Sequence, residues 1–314
     1  MCKYIFGVDI GGTFVKMGLF NTEGRLLEKW EMPTNKKAGG TVILREISEQ
    51  ILSKRVARGV HPEDIEGVGV CIPGVLDKNG MLVMEGANVK WGITDIAGEL
   101  TKLVNLPVNI INDANAAALG EAWQGSGKSC ADMVMVTLGT GVGSGIIIDG
   151  KILNGALGVA GEIGHFHVKD DETEVCGCGK RGCLEQYASA TGIVRLAKQR
   201  LNKDNSPSTL RDGAVSAKTV FDAVKEGDEV AIEVVEQFGY YLGKGLAAMA
   251  NIINPEVFVI GGGVSKAGEI LLQYVEPAFH KFVVSCSGDV QFRIAELGND
   301  AGIYGAARMV LEQK

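Results

Sequence analysis

The stretch Tyr4-Ile5-Phe6-Gly7-Val8-Asp9-Ile10-Gly11-Gly12-Thr13-Phe14-Val15-Lys16-Met17-Gly18-Leu19-Phe20 decides the architecture. It reads as a strand from Tyr4 to Val8, a glycine turn through Asp9-Ile10-Gly11-Gly12-Thr13, and a returning strand from Val15 to Phe20. Asn21 to Gly24 then turns the chain into a third strand, Leu26 to Glu31. A second meander of the same kind follows. Met133 to Leu138 is its first strand, Gly139-Thr140-Gly141-Val142-Gly143 its glycine turn and Gly145 to Ile148 its return, with Asp149-Gly150 as the next hairpin turn.

The pattern extends outward from each meander. After the first come a helix at about Thr41 to Arg58, a strand Gly67 to Ile72, a helix near Thr94 to Val104, a strand Val108 to Ile111 and a small-residue helix Ala114 to Ala122. After the second come helices between Tyr187 and Asn251, a strand Val257 to Ile260, a helix from about Lys266, a strand Val290 to Leu297 and a helix Gly302 to Glu312. The order β-β-β-α-β-α-β-α thus occurs twice, which predicts a duplicated α/β chain. The expected lobes are residues 1–122 and 123–314, with their glycine turns facing one another across a cleft and residues 155–215 as an insertion. The polar run Asn202 to Ser208 reads as an exposed loop.

A chain of 314 residues with 46% hydrophobic content has enough apolar side chains for two such cores. Its net charge of −7 argues against a nucleic-acid or membrane-surface binder, either of which needs a basic face. The short apolar start before Asp9 is neither a signal peptide nor a membrane span, so a cytoplasmic protein is expected. Of seven cysteines, Cys176, Cys178 and Cys183 crowd into one short segment, which in a reducing compartment suggests metal rather than disulfide.

Gly11, Gly12 and Thr13 let backbone N–H groups and a hydroxyl approach a phosphate, and Asp9 at the strand end can orient magnesium through its water shell. Taken alone, this is equally an ordinary glycine hairpin with a solvated aspartate. Gly139, Thr140 and Gly141 repeat the feature in the second half, and Gly261-Gly262-Gly263 follows the strand Val257 to Ile260 where a nucleotide commonly rests. None is a P-loop, because no Gly-Lys-Ser/Thr ending is present. Three such loops on a duplicated scaffold resemble the actin-like ATPase and sugar kinase superfamily, whose fold is ribonuclease H-like.

Asn112-Asp113-Ala114-Asn115 places a carboxylate at a strand end and before a helix, where it serves either as a helix cap or as a catalytic base. His165 with Cys176, Cys178 and Cys183 satisfies tetrahedral zinc and leaves no open position, so a structural ion is expected. Glycines at 177, 179 and 182 let that loop wrap the metal.

Together, Asp9-Ile10-Gly11-Gly12-Thr13, Pro73-Gly74, Asn112-Asp113, Gly161-Glu162-Ile163-Gly164-His165 and the run Cys176-Gly177-Cys178-Gly179-Lys180-Arg181-Gly182-Cys183-Leu184-Glu185 resemble the signature of the ROK family of sugar kinases and sugar-responsive repressors. The resemblance implies that Asp113 is the general base and that Gly74, Asn88, Asn112, Glu162, His165 and Glu185 line a sugar pocket. It implies that Asp9, Gly11, Gly12, Thr13, Gly139, Thr140 and Gly141 handle ATP phosphates and Mg²⁺, and that Gly262 and Gly263 border adenosine. Val89-Lys90 departs from the family pattern, where many relatives carry Leu-Pro. Trp91 reads as a packing anchor beside it.

The expected reaction is ATP-dependent phosphorylation of a hexose at its 6-hydroxyl, glucose to glucose 6-phosphate, as the lobes close and exclude water. N-acetylmannosamine, N-acetylglucosamine, mannose and fructose are the alternative acceptors. Repressors of the family carry an extra N-terminal helix-turn-helix, whereas eight residues precede Asp9 here, which disfavours that class. The family also implies a homodimer or a higher homo-oligomer.

Overall fold

The computed structural model describes residues 3–35, 39–77, 80–85, 92–285 and 289–312. The chain divides into two units: residues 1–129, 145–160 and 296–314 form the first, and residues 130–144 and 161–295 the second.

The first unit is built on a five-stranded sheet of β1 (Tyr4–Ile10), β2 (Phe14–Asn21), β3 (Leu26–Pro33), β4 (Ile65–Ile72) and β7 (Val108–Asn112), in the order β3-β2-β1-β4-β7. The meander pairs antiparallel, with Asp9 opposite Lys16, while β1–β4 and β4–β7 are parallel. Central β4 is almost continuously apolar because both its faces are covered, whereas edge strand β3 exposes every second residue beyond Glu28.

Phe6, Val8 and Ile10 point to one face, where they pack with Ile43, Leu44, Ile47 and Ile51 of α1 (Gly40–Ala57) and Leu100 of α2 (Ile96–Val104). Ile5 points to the other, against Ile303 and Ala307 of α9 (Ala301–Glu312). Gly7 and Gly69 lie under α9 and admit its backbone directly: a Cβ on Gly7 would sit 2.1 Å from the Ile303 carbonyl oxygen, and one on Gly69 would sit 1.7 Å from that of Ala306. Helix α9 therefore belongs to the first unit, whereas the sequence reading assigned it to a continuous second lobe, 123–314. Helix α3 (Asp113–Gln124) packs beside α9. Fully buried Glu121 accepts from the backbone N–H groups of Ser126, Glu296 and Leu297, tying the end of α3 to the approach of α9.

The second sheet has the order β10-β9-β8-β11-β12, formed by β8 (Met133–Leu138), β9 (Val142–Ile148), β10 (Lys151–Ile152), β11 (Val257–Gly261) and β12 (Gln291–Ile294). Each sheet thus reads third, second, first, fourth, fifth strand, which is the duplication expected from the repeated element order. In the second unit α8 (Glu269–Phe282) sets Phe279 against Phe258 of β11 and Phe292 of β12, α7 (Glu229–Ile253) packs along α8, and α4 (Glu185–Ala188), α5 (Ala190–Leu201) and α6 (Ala217–Lys225) pack against α7.

Three local readings shift. Strand β9 starts at Val142, so the second glycine turn is shorter than expected; a 3-10 turn at Val264–Ala267 delays α8 to Glu269; and an unforeseen hairpin, β5 (Gly74–Leu76) with β6 (Leu82–Glu85), follows β4. Among the described residues, no helix is long and apolar enough to cross a membrane.

Candidate active site

In the first unit, the ends of three parallel strands gather the predicted acids. Register sets Asp9 beside Cys71 and Ile72 beside Asn112, so Asp9, Cys71 and the Asn112-Asp113 pair emerge at the carboxyl edge of one sheet. Open α/β sheets bind ligands at this edge. Cys71 is completely buried and its thiol donates to Asp9 Oδ1 at 3.4 Å. Burial pushes this thiol's pKa well up, and the negative charges of Asp9 and Asp113 raise it further, so it stays protonated.

Burial also raises the pKa of Asp9, against the opposing pull of Lys16, whose Nζ lies 3.8 Å from Oδ2. The carboxylate rests over Gly302 in the first turn of α9, where a Cβ would come within 2.9 Å of it, and the positive end of the helix dipole favours a negative charge there. The Gly11–Thr13 turn closes through Gly11 N–H to Phe14 O at 3.0 Å. Thr34 clamps it from beyond β3, its hydroxyl donating to Gly11 O at 2.7 Å and its N–H to Thr13 O at 2.9 Å.

The helix cap is Asn112, not Asp113. Asn112 Oδ1 accepts from the N–H groups of Ala114 (2.9 Å) and Asn115 (3.2 Å), and its Nδ2 donates to the Gly74 carbonyl at 3.0 Å. Asp113 is the first residue of α3 and is solvent-exposed, with Oδ1 accepting from Ala114 N–H at 2.9 Å. Asn112 thus retains one amide hydrogen beyond these bonds for a ligand. Predicted sugar contact Asn88 and neighbouring Trp91 lie outside the described residues.

The second unit assembles the remaining predicted groups. Glu162 precedes the short 3-10 turn Ile163–His165, His165 is its last residue, and both are exposed. Glu185 opens α4, and its carboxylate faces two ways. Oε1 accepts from Cys176 Sγ at 2.9 Å and lies 3.6 Å from His165 Nδ1, while Oε2 lies over Gly141, where a Cβ would approach within 2.7 Å.

His165, Cys176, Cys178 and Cys183 bring one ligand atom each to within 4.8 Å of one another. His165 Nδ1 is 3.7 Å from Cys176 Sγ, and Cys178 Sγ is 3.6 Å from Cys183 Sγ. Zinc–sulfur and zinc–nitrogen bonds of about 2.3 and 2.0–2.1 Å give tetrahedral edges of about 3.5–3.8 Å, so these separations fit the ion. The proton Cys176 gives to Glu185 is one that a thiol sheds on binding zinc. Positive backbone φ at Gly179 and Gly182 turns the loop, and a Cβ on Gly182 would strike the Lys169 carbonyl at 1.9 Å.

A buried network that was not foreseen holds this loop. Glu172 accepts from Tyr187 and from Arg195 Nη1 at 2.8 Å, and Arg195 donates from Nε and Nη2 to the Gln186 carbonyl at 3.2 and 3.0 Å. Gln186 then accepts from Cys183 N–H at 3.0 Å. No local pattern marks these partners.

The carbonyls of the second glycine turn are anchored by the start of α5. Ala190 N–H donates to Gly139 O at 2.8 Å, and the Thr191 hydroxyl donates to Thr140 O at 2.7 Å. Here a signal was available, since Ser189 precedes an amphipathic segment as an N-cap should. Gly262, at φ +84°, folds back so that a Cβ would lie 2.5 Å from the Leu138 carbonyl, which sets the Gly262-Gly263 turn against the end of β8.

Known proteins align with this chain over nearly its whole length. The ROK family model matches residues 5–313. The glucokinase of Halalkalibacterium halodurans is 41% identical over 317 aligned positions, covering 99% of this chain and 96% of that protein. A crystal structure of a ROK hexokinase from Thermus thermophilus aligns with a TM-score of 0.85 at 31% identity, covering 99% of this chain and 98% of the other. A ROK family glucokinase from Streptomyces griseus, solved in complex with glucose and AMPPNP, aligns at 0.77 with 36% identity, covering 98% of this chain and 99% of its own. With both strand meanders, both glycine turns and the cysteine loop inside one continuous match, the chain belongs to the ROK family.

Proposed function

We propose that this protein phosphorylates glucose at its 6-hydroxyl with ATP, and that Asp113 is the general base. The observation that carries the proposal is the division of labour at the start of α3: Asn112 takes the cap, and the exposed Asp113 carboxylate stands at the carboxyl edge of the sheet with Asp9. The glucokinase relatives and the glucose complex of the Streptomyces griseus enzyme support glucose as the acceptor.

In this reading Asp113 accepts the hydroxyl proton as the sugar O6 attacks the γ-phosphorus; the O6–P bond forms, the bond to the β-phosphate oxygen breaks, and ADP leaves. Glu162 and Glu185 accept hydrogen bonds from sugar hydroxyls, which discriminates epimers more sharply than apolar fit does. His165 Nδ1 faces the sulfurs, so Nε2 is the nitrogen offered to the sugar. Gly74, Asn88 and the remaining amide hydrogen of Asn112 complete the sugar contacts. Backbone N–H groups of Gly12, Thr13, Thr140 and Gly141 donate to phosphate oxygens, Gly11 and Gly139 close the two turns through their own N–H groups, and Gly262 and Gly263 border adenosine.

Asp9 is suited to orient Mg²⁺ through water, because its carboxylate is held in place by Cys71 and Lys16. His165, Cys176, Cys178 and Cys183 would hold Zn²⁺, which supplies a closed cross-link that fixes His165 and the approach to Glu185. Such thiol ligands persist in a reducing compartment, so we place the protein in the cytoplasm, as the homodimer the family implies. A coupled ADP-release assay over glucose, fructose, mannose, N-acetylmannosamine and N-acetylglucosamine tests the proposal. Glucose is expected to give the highest kcat/KM, and ADP release that no sugar stimulates would overturn it.

A further inference from the structure

The hydroxyls of Ser189 and Thr191 play no part in the proposed chemistry, yet they join the residue carrying the Glu185 carboxylate to the second phosphate loop. Ser189 is fully buried; its Oγ donates to the Glu185 backbone carbonyl at 2.6 Å and accepts from Gly192 N–H at 2.9 Å. Thr191 Oγ1 donates to the Thr140 carbonyl at 2.7 Å, and the two hydroxyl oxygens are 2.9 Å apart.

Three oxygen–oxygen contacts therefore run from Glu185 to Thr140, but two hydroxyls supply only two hydrogens. When both carbonyls are served, the Ser189 and Thr191 oxygens face one another without a hydrogen. When a hydrogen lies between them, one carbonyl gives up its bond. The hydrogen bond at Thr140 thus depends on how firmly the Glu185 carbonyl holds the Ser189 hydrogen. A second contact runs in parallel, since Glu185 Oε2 lies against Gly141 in the same loop.

We infer that Ser189 and Thr191 are positioning residues that couple sugar binding at Glu185 to the shape of the Thr140-Gly141 phosphate loop, so that sugar and nucleotide strengthen one another's binding. The inference rests on the kinase reading above. The sugar draws the Glu185 segment towards itself and its carbonyl away from Ser189, the Ser189 hydrogen turns to Thr191 Oγ1, and the Thr191 hydrogen is committed to Thr140. Linkage makes the effect reciprocal, so bound nucleotide must raise sugar affinity by the same factor.

The test is the glucose dissociation constant, measured calorimetrically without nucleotide and with saturating AMPPNP and Mg²⁺, for wild type, Thr191→Val and Thr191→Ser. Thr191→Val keeps the shape of an exposed side chain and removes its hydroxyl, whereas Thr191→Ser keeps the hydroxyl. Wild type is expected to bind glucose at least about fivefold more tightly with nucleotide present. Thr191→Val should reduce that factor towards one while its affinity for glucose alone stays within about twofold of wild type, and Thr191→Ser should restore the coupling. Unchanged coupling in Thr191→Val, no coupling in wild type, or equal weakening of both ligands without rescue by serine would each overturn the inference. Glucose-dependent ADP release by wild type, measured alongside, separates the cases: turnover with coupling unaltered in Thr191→Val refutes the relay alone, and its absence for every sugar refutes the kinase reading.

Discussion

Asn112 and Asp113 are neighbours with opposite predicted jobs, and replacing them one at a time separates the two. Asp113→Asn keeps an oxygen to accept Ala114 N–H, now bonded at 2.9 Å, and leaves the Asn112 cap intact. Its stability cost is the lost charge at a helix N-terminus, about 0.3–1 kcal/mol. An amide cannot take the sugar proton, so turnover loses the general-base contribution of roughly 10²–10⁴, equivalent to about 2.7–5.5 kcal/mol of barrier. Asn112→Ala removes the acceptor for two N–H groups and the bond to Gly74 O at 3.0 Å. The cap accounts for about 0.5–2 kcal/mol and the Gly74 bond for about 1 kcal/mol, so this variant should be destabilised by roughly 1.5–3 kcal/mol. Urea titration measures stability, and a coupled assay gives kcat and KM for glucose. Asp113→Asn should lose kcat with nearly native stability and sugar KM. The assignment fails if its kcat stays within about tenfold of wild type, or if it loses as much stability as Asn112→Ala.

Two further outcomes follow from the second unit. Cys178→Ser opens the four-residue metal set, so zinc content by elemental analysis, thermal stability and glucose affinity should fall together; normal glucose affinity in zinc-free protein would refute the link from metal to Glu185. Glu172 supplies a pH signature. Burial would raise its carboxyl, but bonds from Tyr187, the Glu174 N–H and Arg195 outweigh that and hold it at about 2, against an ordinary 4.5. A lowered folded-state pKa means stabilisation that is complete above about pH 4.5 and lost as pH falls towards 2, amounting to about 3 kcal/mol for a side chain only 6% exposed. The stability advantage of wild type over Glu172→Gln should shrink through that window in denaturant titrations, and a pH-independent difference would count against the network.

The legibility of the site followed the range of the interactions that build it. Glycine turns, the Cys-x-Cys spacing and the two meanders are local, and their residues fell where the pattern put them except for Val142 and Gly143, which pass from the second turn into β9. The cap at the start of α3 is local too, but two adjacent residues could each fill it. Backbone position chose Asn112, whose extended φ and ψ lie outside the helix while its oxygen reaches back to the first turn. Cys71 was one scattered cysteine among several until parallel pairing of β1 with β4 set it beside Asp9. The Arg195–Glu172 pair and the Thr191 contact with Thr140 join segments that no periodicity relates.

By itself, then, the chain determined its strands, most of its helices, its duplicated order and its glycine turns and cysteine loop, because side-chain periodicity and glycine conformations act within a few residues. Only the tertiary structure decided that α9 completes the first unit, through the bare backbones of Gly7 and Gly69, and that Asn112 rather than Asp113 caps α3. It likewise decided where the two oxygens of Glu185 lie, one beside the thiol and imidazole cluster and one over Gly141. Those outcomes depend on distances between segments far apart in the chain, and distance is what folding supplies.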